Sequence, residues 1–259
     1  MTKPHSISKF SQYGNWALVT GSTAGIGREF ASQLARAGCN LALLARDANS
    51  LETQCRELAA TWGVQTSAVV CDLRDARYLS IIGDATASID IGLLVNNAGA
   101  ESYHGRFLDR SAQQAEDSLR LNTLVQLQLI QHFATRMAAA GGGAIIQVSS
   151  IAGHMSLPFM AEYSASKAYQ LALGEALHYE LSDHNIDFLT LSPGATKSRR
   201  ISYGMNPTQV VNAALAALGQ RPSVIPGWRN QWSAFKHRHL KSRRSSVASM
   251  GAFQRAQLR

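Results

Sequence analysis

The sequence predicts a single α/β domain built on a doubly wound parallel sheet. Three observations lead there. The short apolar run Trp16-Ala17-Leu18-Val19 feeds into Thr20-Gly21-Ser22-Thr23-Ala24-Gly25-Ile26-Gly27 and then into a segment with helical periodicity. Apolar runs and helix-patterned segments alternate from there to about residue 225, an order that places helices on both faces of a parallel sheet. Residues able to do chemistry stand where the apolar runs end: the glycine stretch, Arg46, Asp72, Asn96, Ser150 and Pro193. Open α/β sheets bind ligands at the carboxyl ends of their strands.

The glycine stretch is the strongest of these. Residues 26–37 carry Ile26, Phe30 and Leu34 at helical spacing and stop at Gly38. Gly21 permits a tight turn, Gly25 lets backbone approach a pyrophosphate, and Gly27 lets the helix start pack on the strand. Free amides and the positive dipole end of the helix would then face the phosphates. Asn40-Leu41-Ala42-Leu43-Leu44-Ala45 completes a βαβ unit. The spacing is Gly-x-x-x-Gly-x-Gly, not the Gly-x-Gly-x-x-Gly of long-chain dinucleotide folds. Alone, it is a moderate signal, because a plain strand-to-helix turn also carries such glycines.

The remaining elements follow in order. Residues 1–15 read as a short, partly ordered arm. Residues 50–60 predict a helix, 66–71 a strand ending at Asp72-Leu73, and 75–87 a helix. Residues 91–95 predict a strand ending in Asn96-Asn97-Ala98-Gly99. One long helix is expected over 111–140, with Ser111 as its N-cap and Gly141-Gly142-Gly143 as its stop. A strand over 144–149, a helix over 162–181 and a strand over 186–191 lead to Ser192-Pro193-Gly194. A helix over 207–218 and an edge strand over 223–225 close the domain, taken as residues 16–227. Residues 228–259 read as a basic tail, solvated or partly disordered, with its aromatic side chains packed on the core.

The chain has 259 residues, enough for one sizeable core and too few for two. Cys39, Cys55 and Cys71 lack CxxC spacing, which suggests reduced thiols and a cytoplasmic location. Residues 1–15 hold no apolar segment of the kind found in secretory leaders, and no run of 18 apolar residues occurs, so neither a leader nor a membrane span is expected. No metal-ligand pattern or internal repeat is visible, and no bound metal is expected. Charge is unevenly placed. The first 187 residues hold all 17 acids against 13 cations, a net charge of −4; the last 72 hold 12 Lys/Arg and no acid.

A second constellation is Tyr163-Ser164-Ala165-Ser166-Lys167. The i, i+4 spacing sets Tyr163 and Lys167 on one helix face, and Ser150 stands thirteen residues earlier at a strand end. A carbonyl accepting hydride needs a proton on its oxygen. Tyrosine ordinarily titrates at about 10, too high for a base near neutrality. A neighbouring Lys⁺ and an oxidised nicotinamide both favour the phenolate and are expected to lower that value. Tyr163 then becomes a general acid/base, with Ser150 holding the substrate oxygen. Tyr-x-x-x-Lys alone is a weak signal, because both residues are common on helix surfaces. The serine and the glycine loop reverse that weighting.

Taken together, these motifs resemble the short-chain dehydrogenase/reductase family. The resemblance covers residues 16–198 and rests on Thr20 to Gly27, Asp72, Asn96-Asn97-Ala98-Gly99, Asn122, Ser150, Tyr163-x-x-x-Lys167 and Pro193-Gly194, in family order and spacing. It implies a Rossmann-type fold and a role for each position. Tyr163 would be the catalytic acid/base, and Lys167 would hold the nicotinamide ribose and lower the tyrosine's pKa. Ser150 would polarise the carbonyl; Ser149 competes for that role, and spacing to Tyr163 favours Ser150. Asn122 would bind a water linking Lys167 to solvent. Gly21, Thr23, Gly25, Ile26 and Gly27 would cradle the pyrophosphate. Asp72 and Leu73 would meet the adenine, Asn97, Ala98 and Gly99 would support its side of the cleft, and Pro193, Gly194 and Thr196 would border the nicotinamide.

NAD-selective members carry an acid at the end of the second strand, whereas this chain has Ala45 and then Arg46. A guanidinium binds a 2′-phosphate with two hydrogen bonds where a carboxylate would repel it, so NADP(H) is expected over NAD(H). Asp47 would weaken that site if it turned inward. Asn15-Trp16-Ala17-Leu18-Val19-Thr20-Gly21 and Leu41-Ala42-Leu43-Leu44-Ala45-Arg46 resemble the branch of 17β-hydroxysteroid dehydrogenases and very-long-chain 3-oxoacyl-CoA reductases, pointing to a small-molecule, lipid-like carbonyl or alcohol. Residues 195–206, with Arg199, Arg200, Tyr203 and Met205, would line the substrate side or form a mobile lid. The family resemblance implies a homodimer or homotetramer through helices 111–140 and 162–181. Trp228, Trp232 and Phe235 among tail cations suit weak contact with an anionic membrane surface; no specific nucleic-acid partner is expected. The competing readings are a non-catalytic nucleotide-binding scaffold and a peripheral membrane module.

Overall fold

Buried aliphatic runs make the strands, because a parallel sheet covered on both faces has no wet side. In the computed structural model, which describes residues 10–100, 103–199 and 201–258, these are β1 (Trp16–Thr20), β2 (Asn40–Ala45), β3 (Thr66–Val70), β4 (Ile91–Asn96), β5 (Gly143–Val148), β6 (Ile186–Leu191) and β7 (Ser223–Val224). The first nine residues of the expected arm, and Arg200, lie outside the described residues. All pairings are parallel and the order is 3-2-1-4-5-6-7. The order reverses between β1 and β4, which opens the ligand crevice of doubly wound sheets there.

The helices are α1 (Gly25–Arg36), α2 (Ala48–Trp62), α3 (Tyr78–Ala85), α4 (Ala112–Asn122), α5 (Leu124–Ala139), α6 (Ala161–Glu180), α7 (Pro207–Ala217), α8 (Trp228–Phe235) and α9 (Arg243–Ala256). Phe30 and Leu34 of α1, Leu51 of α2 and Val210 of α7 pack on one sheet face. Ile82 of α3 and Leu129 and Phe133 of α5 pack on the other, with Leu173 and Leu177 of α6. The two cores meet through the strands, so side chains at strand tips are held from both sides.

The structure corrects three expectations. The helix expected over 111–140 breaks at Thr123, where φ is −125° and ψ −71°. Asn122 causes much of this. Its side-chain oxygen accepts from the Ala100 amide at 3.0 Å, and its backbone carbonyl accepts from Gln170 Nε2 at 2.7 Å, outside the helix ladder. The Thr123 hydroxyl also donates back to the Leu119 carbonyl at 2.6 Å, a bond that bends helices. The helix expected over 75–87 shortens to α3, because the Asp75 carboxylate accepts the Arg77 amide at 2.8 Å and holds a turn instead.

The third correction concerns the tail, which is helical: α8, a π-helical turn over Lys236–Leu240, and α9. Ser242 caps α9 by accepting from the Ser245 amide at 3.2 Å. The tail aromatics do not pack on the core. Trp228 is 71% exposed, and Trp232 and Phe235 are exposed beside it.

Close approach of α6 to β6 depends on Gly174. A Cβ there would stand 2.0 Å from Thr190 Oγ1 and 2.9 Å from Phe188 Cε1, both on buried side chains. Gly174→Ala is expected to cost about 1–3 kcal/mol through overpacking, read as a thermal midpoint several degrees lower; an unchanged midpoint would show that α6 can move outward freely.

Candidate active site

The end of β1 and the start of α1 form a cradle. Gly21 and Gly25 adopt φ of +64° and +52°, the left-handed region that glycine enters without strain. A Cβ on Gly27 would stand 2.2 Å from the Gly21 carbonyl and 2.6 Å from Asn97 Nδ2. Asn97 ties the loop to β4: its Nδ2 donates to the Thr20 carbonyl at 2.9 Å, while Thr20 Oγ1 accepts from the Asn97 and Ala98 amides, both at 2.9 Å. Ala24, the N-cap of α1, supplies no side-chain acceptor, so the first-turn amides at Gly25, Ile26 and Gly27 present an anion site. The chain's own residues therefore fit a dinucleotide pyrophosphate. Thr23 lines a neighbouring cavity of about 270 Å³ with Arg28, Asn49, Gln54 and Arg199.

At the other end of this cleft, Arg46 is exposed just past β2. Asp47 does not turn inward. Its carboxylate caps α2, accepting from the Ser50 amide at 2.7 Å, and the Ser50 side chain together with this amide holds its pKa below the usual carboxylate range. Asp72 forms an ion pair with Arg74 at 2.6 Å, and Leu73 is buried beside it. The Ala98 carbonyl accepts from Gln126 Nε2 at 2.6 Å. Gly99 has no room for a side chain, since a Cβ would stand 2.8 Å from Asn122 Oδ1.

The reacting groups gather where β5, β6 and α6 meet. Ser149 and Ser150 separate cleanly. Ser149 Oγ donates to the Lys167 carbonyl at 2.8 Å, facing the helix backbone. Ser150 Oγ accepts from the Ala152 amide at 3.1 Å and donates to the Pro193 carbonyl at 3.4 Å, and its hydroxyl acts to lower the Tyr163 pKa. Lys167 Nζ donates to the Val148 carbonyl at 3.1 Å and to Gln170 Oε1 at 2.9 Å, and lies 5.7 Å from the Tyr163 ring centroid. Pro193 meets this group through its carbonyl, which accepts from the Ile151 amide at 2.9 Å. Gly194 packs against Asn230 of α8, and Thr196 Oγ1 donates to the Gly194 carbonyl at 3.0 Å.

The protein's own electrostatics run opposite to the expected lowering of the tyrosine. Burial raises the Tyr163 pKa, and the Ser150 hydrogen bond only partly offsets it. Burial also pushes the Lys167 ammonium down to about 7. Lys167 donates to neutral oxygens, the Val148 carbonyl and Gln170 Oε1, so neither partner brings an opposite charge to offset its burial. Two further residues belong to the site. Gln170 stands between Lys167 and Asn122, a placement readable in retrospect from its i, i+3 spacing to the lysine. Asn230 lies in the tail, where no pattern pointed to it.

The family model for short chain dehydrogenases matches residues 15–204. The chain belongs to the short-chain dehydrogenase family. Its activity is accordingly NAD(P)-dependent interconversion of a carbonyl and an alcohol. It is 34% identical over 225 residues to a very-long-chain 3-oxoacyl-CoA reductase of Podospora anserina, covering 83% of this chain and 66% of the reductase; the chain thus spans about two thirds of that relative's length. A solved 7β-hydroxysteroid dehydrogenase, 27% identical, superposes with a TM-score of 0.88 over 94% of this chain and 99% of its own. A short-chain dehydrogenase from Sphingobium yanoikuyae, solved with NADPH, is 29% identical with a TM-score of 0.76 over 85% of this chain and 92% of its own.

Gly27→Ala places a methyl group against the Gly21 carbonyl and Asn97. Fluorescence titration is expected to show dinucleotide affinity at least about tenfold weaker, because the amides that meet the phosphates are displaced. Unchanged affinity in the folded variant would show that this loop is not the cradle.

Proposed function

We propose that the protein is an NADP(H)-dependent carbonyl reductase and alcohol dehydrogenase for bulky, lipid-like substrates, with Tyr163 as general acid/base. The observation that carries this reading is the gathering of Ser150 and Tyr163 around the buried Lys167, whose Nζ lies 5.7 Å from the Tyr163 ring centroid. Bound NADPH would supply the hydride. The chain's residues handle the oxygen. Ser150 Oγ–H donates to the carbonyl oxygen and orients it. Tyr163 donates its phenolic proton to that oxygen as negative charge develops. A tyrosine held largely protonated by burial is well suited to this reductive direction. Lys167 keeps one ammonium proton for the cleft, where it supports the phenolate left behind.

Arg46 supports NADP(H): it stands exposed at the β2 end while Asp47 is occupied as a helix cap. A cavity of about 670 Å³ lies between α9 and the Pro158–Phe159 turn, within the segment that joins Ser150 to Tyr163. Val247, Ala248 and Gly251 line it, and the Arg255 guanidinium lies 5.6 Å from the Phe159 ring centroid. Its size suits a ligand of steroid or acyl dimensions, and the guanidinium suits an acid group on it. Exposed Phe107, Leu108, Leu119 and Leu124 support homo-oligomerisation across α4 and α5. Trp228, Trp232 and Phe235 beside Arg229 and Lys236 support weak membrane-surface contact by α8.

Two measurements test the enzyme reading. Tyr163→Phe is expected to lower kcat by about 10²–10⁴-fold while NADPH binding stays within about twofold; retained turnover would remove Tyr163 from the chemistry. Arg46→Ala is expected to weaken NADPH by roughly 10- to 100-fold, the worth of charged hydrogen bonds, and to leave NADH unchanged. Equal loss for both cofactors would overturn the phosphate assignment. Flotation with anionic vesicles, comparing wild type and Trp228→Ala/Trp232→Ala, tests the surface contact; equal flotation removes it.

A further inference from the structure

The α4–α5 kink and the i, i+3 pair on α6 meet at one side chain. Gln170 is 2% exposed, and both halves of its amide are engaged. Nε2 donates to the Asn122 carbonyl at 2.7 Å, and Oε1 accepts from Lys167 Nζ at 2.9 Å. The lysine gives a second proton to the Val148 carbonyl at 3.1 Å. An ammonium has three protons, so one remains for the cleft that Tyr163 faces. In an unbroken helix the Asn122 carbonyl would be taken by the amide four residues on. The kink at Thr123 makes it available to Gln170.

We propose that Gln170 is a positioning residue for the catalytic lysine: its amide spans from the kink to Lys167 Nζ, turns one ammonium proton into the cleft, and ends the hydrogen-bond chain from Asn122. The inference rests on the function proposed above and deepens it. A water at this junction, which the family resemblance implies, could accept a proton and hand another on. The amide cannot do so readily, because taking a proton on Oε1 while releasing one from Nε2 passes through an imidic acid. The amide therefore holds the Lys167 ammonium without itself passing protons on.

The surroundings make Lys167 sensitive to this one neighbour. From β5 come the Val148 carbonyl and the Ser149 hydroxyl, and from α4 the uncharged Asn122 segment. Among the described residues Tyr163 is the titratable side chain placed against it. His154, in the turn after Ser150, responds to burial and then to Glu175 and Arg238. Burial alone takes the lysine down to about 7.

The test uses the full chain without cofactor, as wild type, Gln170→Glu and Gln170→Met. The folded-state pKa of Lys167 lies below its unfolded value of about 10.4. The unfolded chain therefore binds more protons between the two values, and stability rises with pH across that window. Glutamate keeps the acceptor and adds a charge, which moves the lysine back up; methionine fills the space with no comparable acceptor and moves it further down. Between pH 7 and pH 10, thermal midpoints are expected to rise less steeply than wild type in Gln170→Glu and more steeply in Gln170→Met. In turnover, Gln170→Met is expected to lose about tenfold in kcat, the worth of one hydrogen bond to a charged group, with glutamate, which keeps the acceptor for Lys167 but loses the donor to the Asn122 carbonyl, restoring part of it. Three parallel curves offset by a constant would overturn the proposal and leave Gln170 a packing role. Should the methionine variant not fold, an unflattened curve for Gln170→Glu overturns it by itself. Absence of carbonyl reduction in the wild type would sink the proposed function and leave the pH slopes readable.

Discussion

A buried ammonium is the constraint on which the site depends. Lys167 is only 7% exposed, and among the described residues no carboxylate lies against it. A buried cation without acceptors is costly enough to disrupt the helix that carries it or to discharge. The fold supplies neutral oxygens: the Val148 carbonyl at the tip of β5 and the Gln170 amide oxygen one turn along α6. Gln170 must in turn be satisfied, and the carbonyl freed by the α4–α5 kink does this. The break in the long helix, the end of β5 and the pitch of α6 thus answer to one charge. Neutral partners also leave that charge marginal, the condition under which a lysine can respond to events in the cleft.

The cofactor end follows a different logic. No charge is buried there; backbone is brought close and held. Thr20 and Asn97, at the tips of the neighbouring strands β1 and β4, exchange side-chain and backbone hydrogen bonds across the point where the strand order reverses. This lashing leaves no room for a side chain at Gly27 and keeps the α1 amides directed outward. Gln126 reaches the same segment from α5 by donating to the Ala98 carbonyl. Both ends of the cleft are therefore braced by the α4–α5 region, so the kink at Thr123 is felt by cofactor and substrate sides alike.

What could be read in the sequence is what local spacing determines. Strand–helix alternation, the glycine loop and the Ser150–Tyr163–Lys167 spacing are short-range patterns with a direct physical meaning, and the structure brings those residues together. What escaped depends on distant partners. Nothing within residues 111–140 announces that Asn122 will give its carbonyl to Gln170, 48 positions away. The turn at Asp75 was locally legible in kind, since Asp readily accepts from the amide two residues on, yet helical periodicity outweighed it. The fall expected for the Tyr163 pKa assumed that the lysine faces the phenol. Its partners were set by burial, which spacing does not report.

The tail shows the same division. Its charge was plain in the sequence, but its helices and its docking were not, because its cations and aromatics follow no single apolar stripe. Placed in the fold, the charge acquires a direction. Asn230 of α8 packs on Gly194, and Gly251 of α9 lies against Pro158, within the segment that joins Ser150 to Tyr163. The acid-free end of the chain is therefore laid against Gly194 and against the segment that joins Ser150 to Tyr163, while the net negative charge belongs to the first 187 residues. A field of that sense draws anions toward the tail.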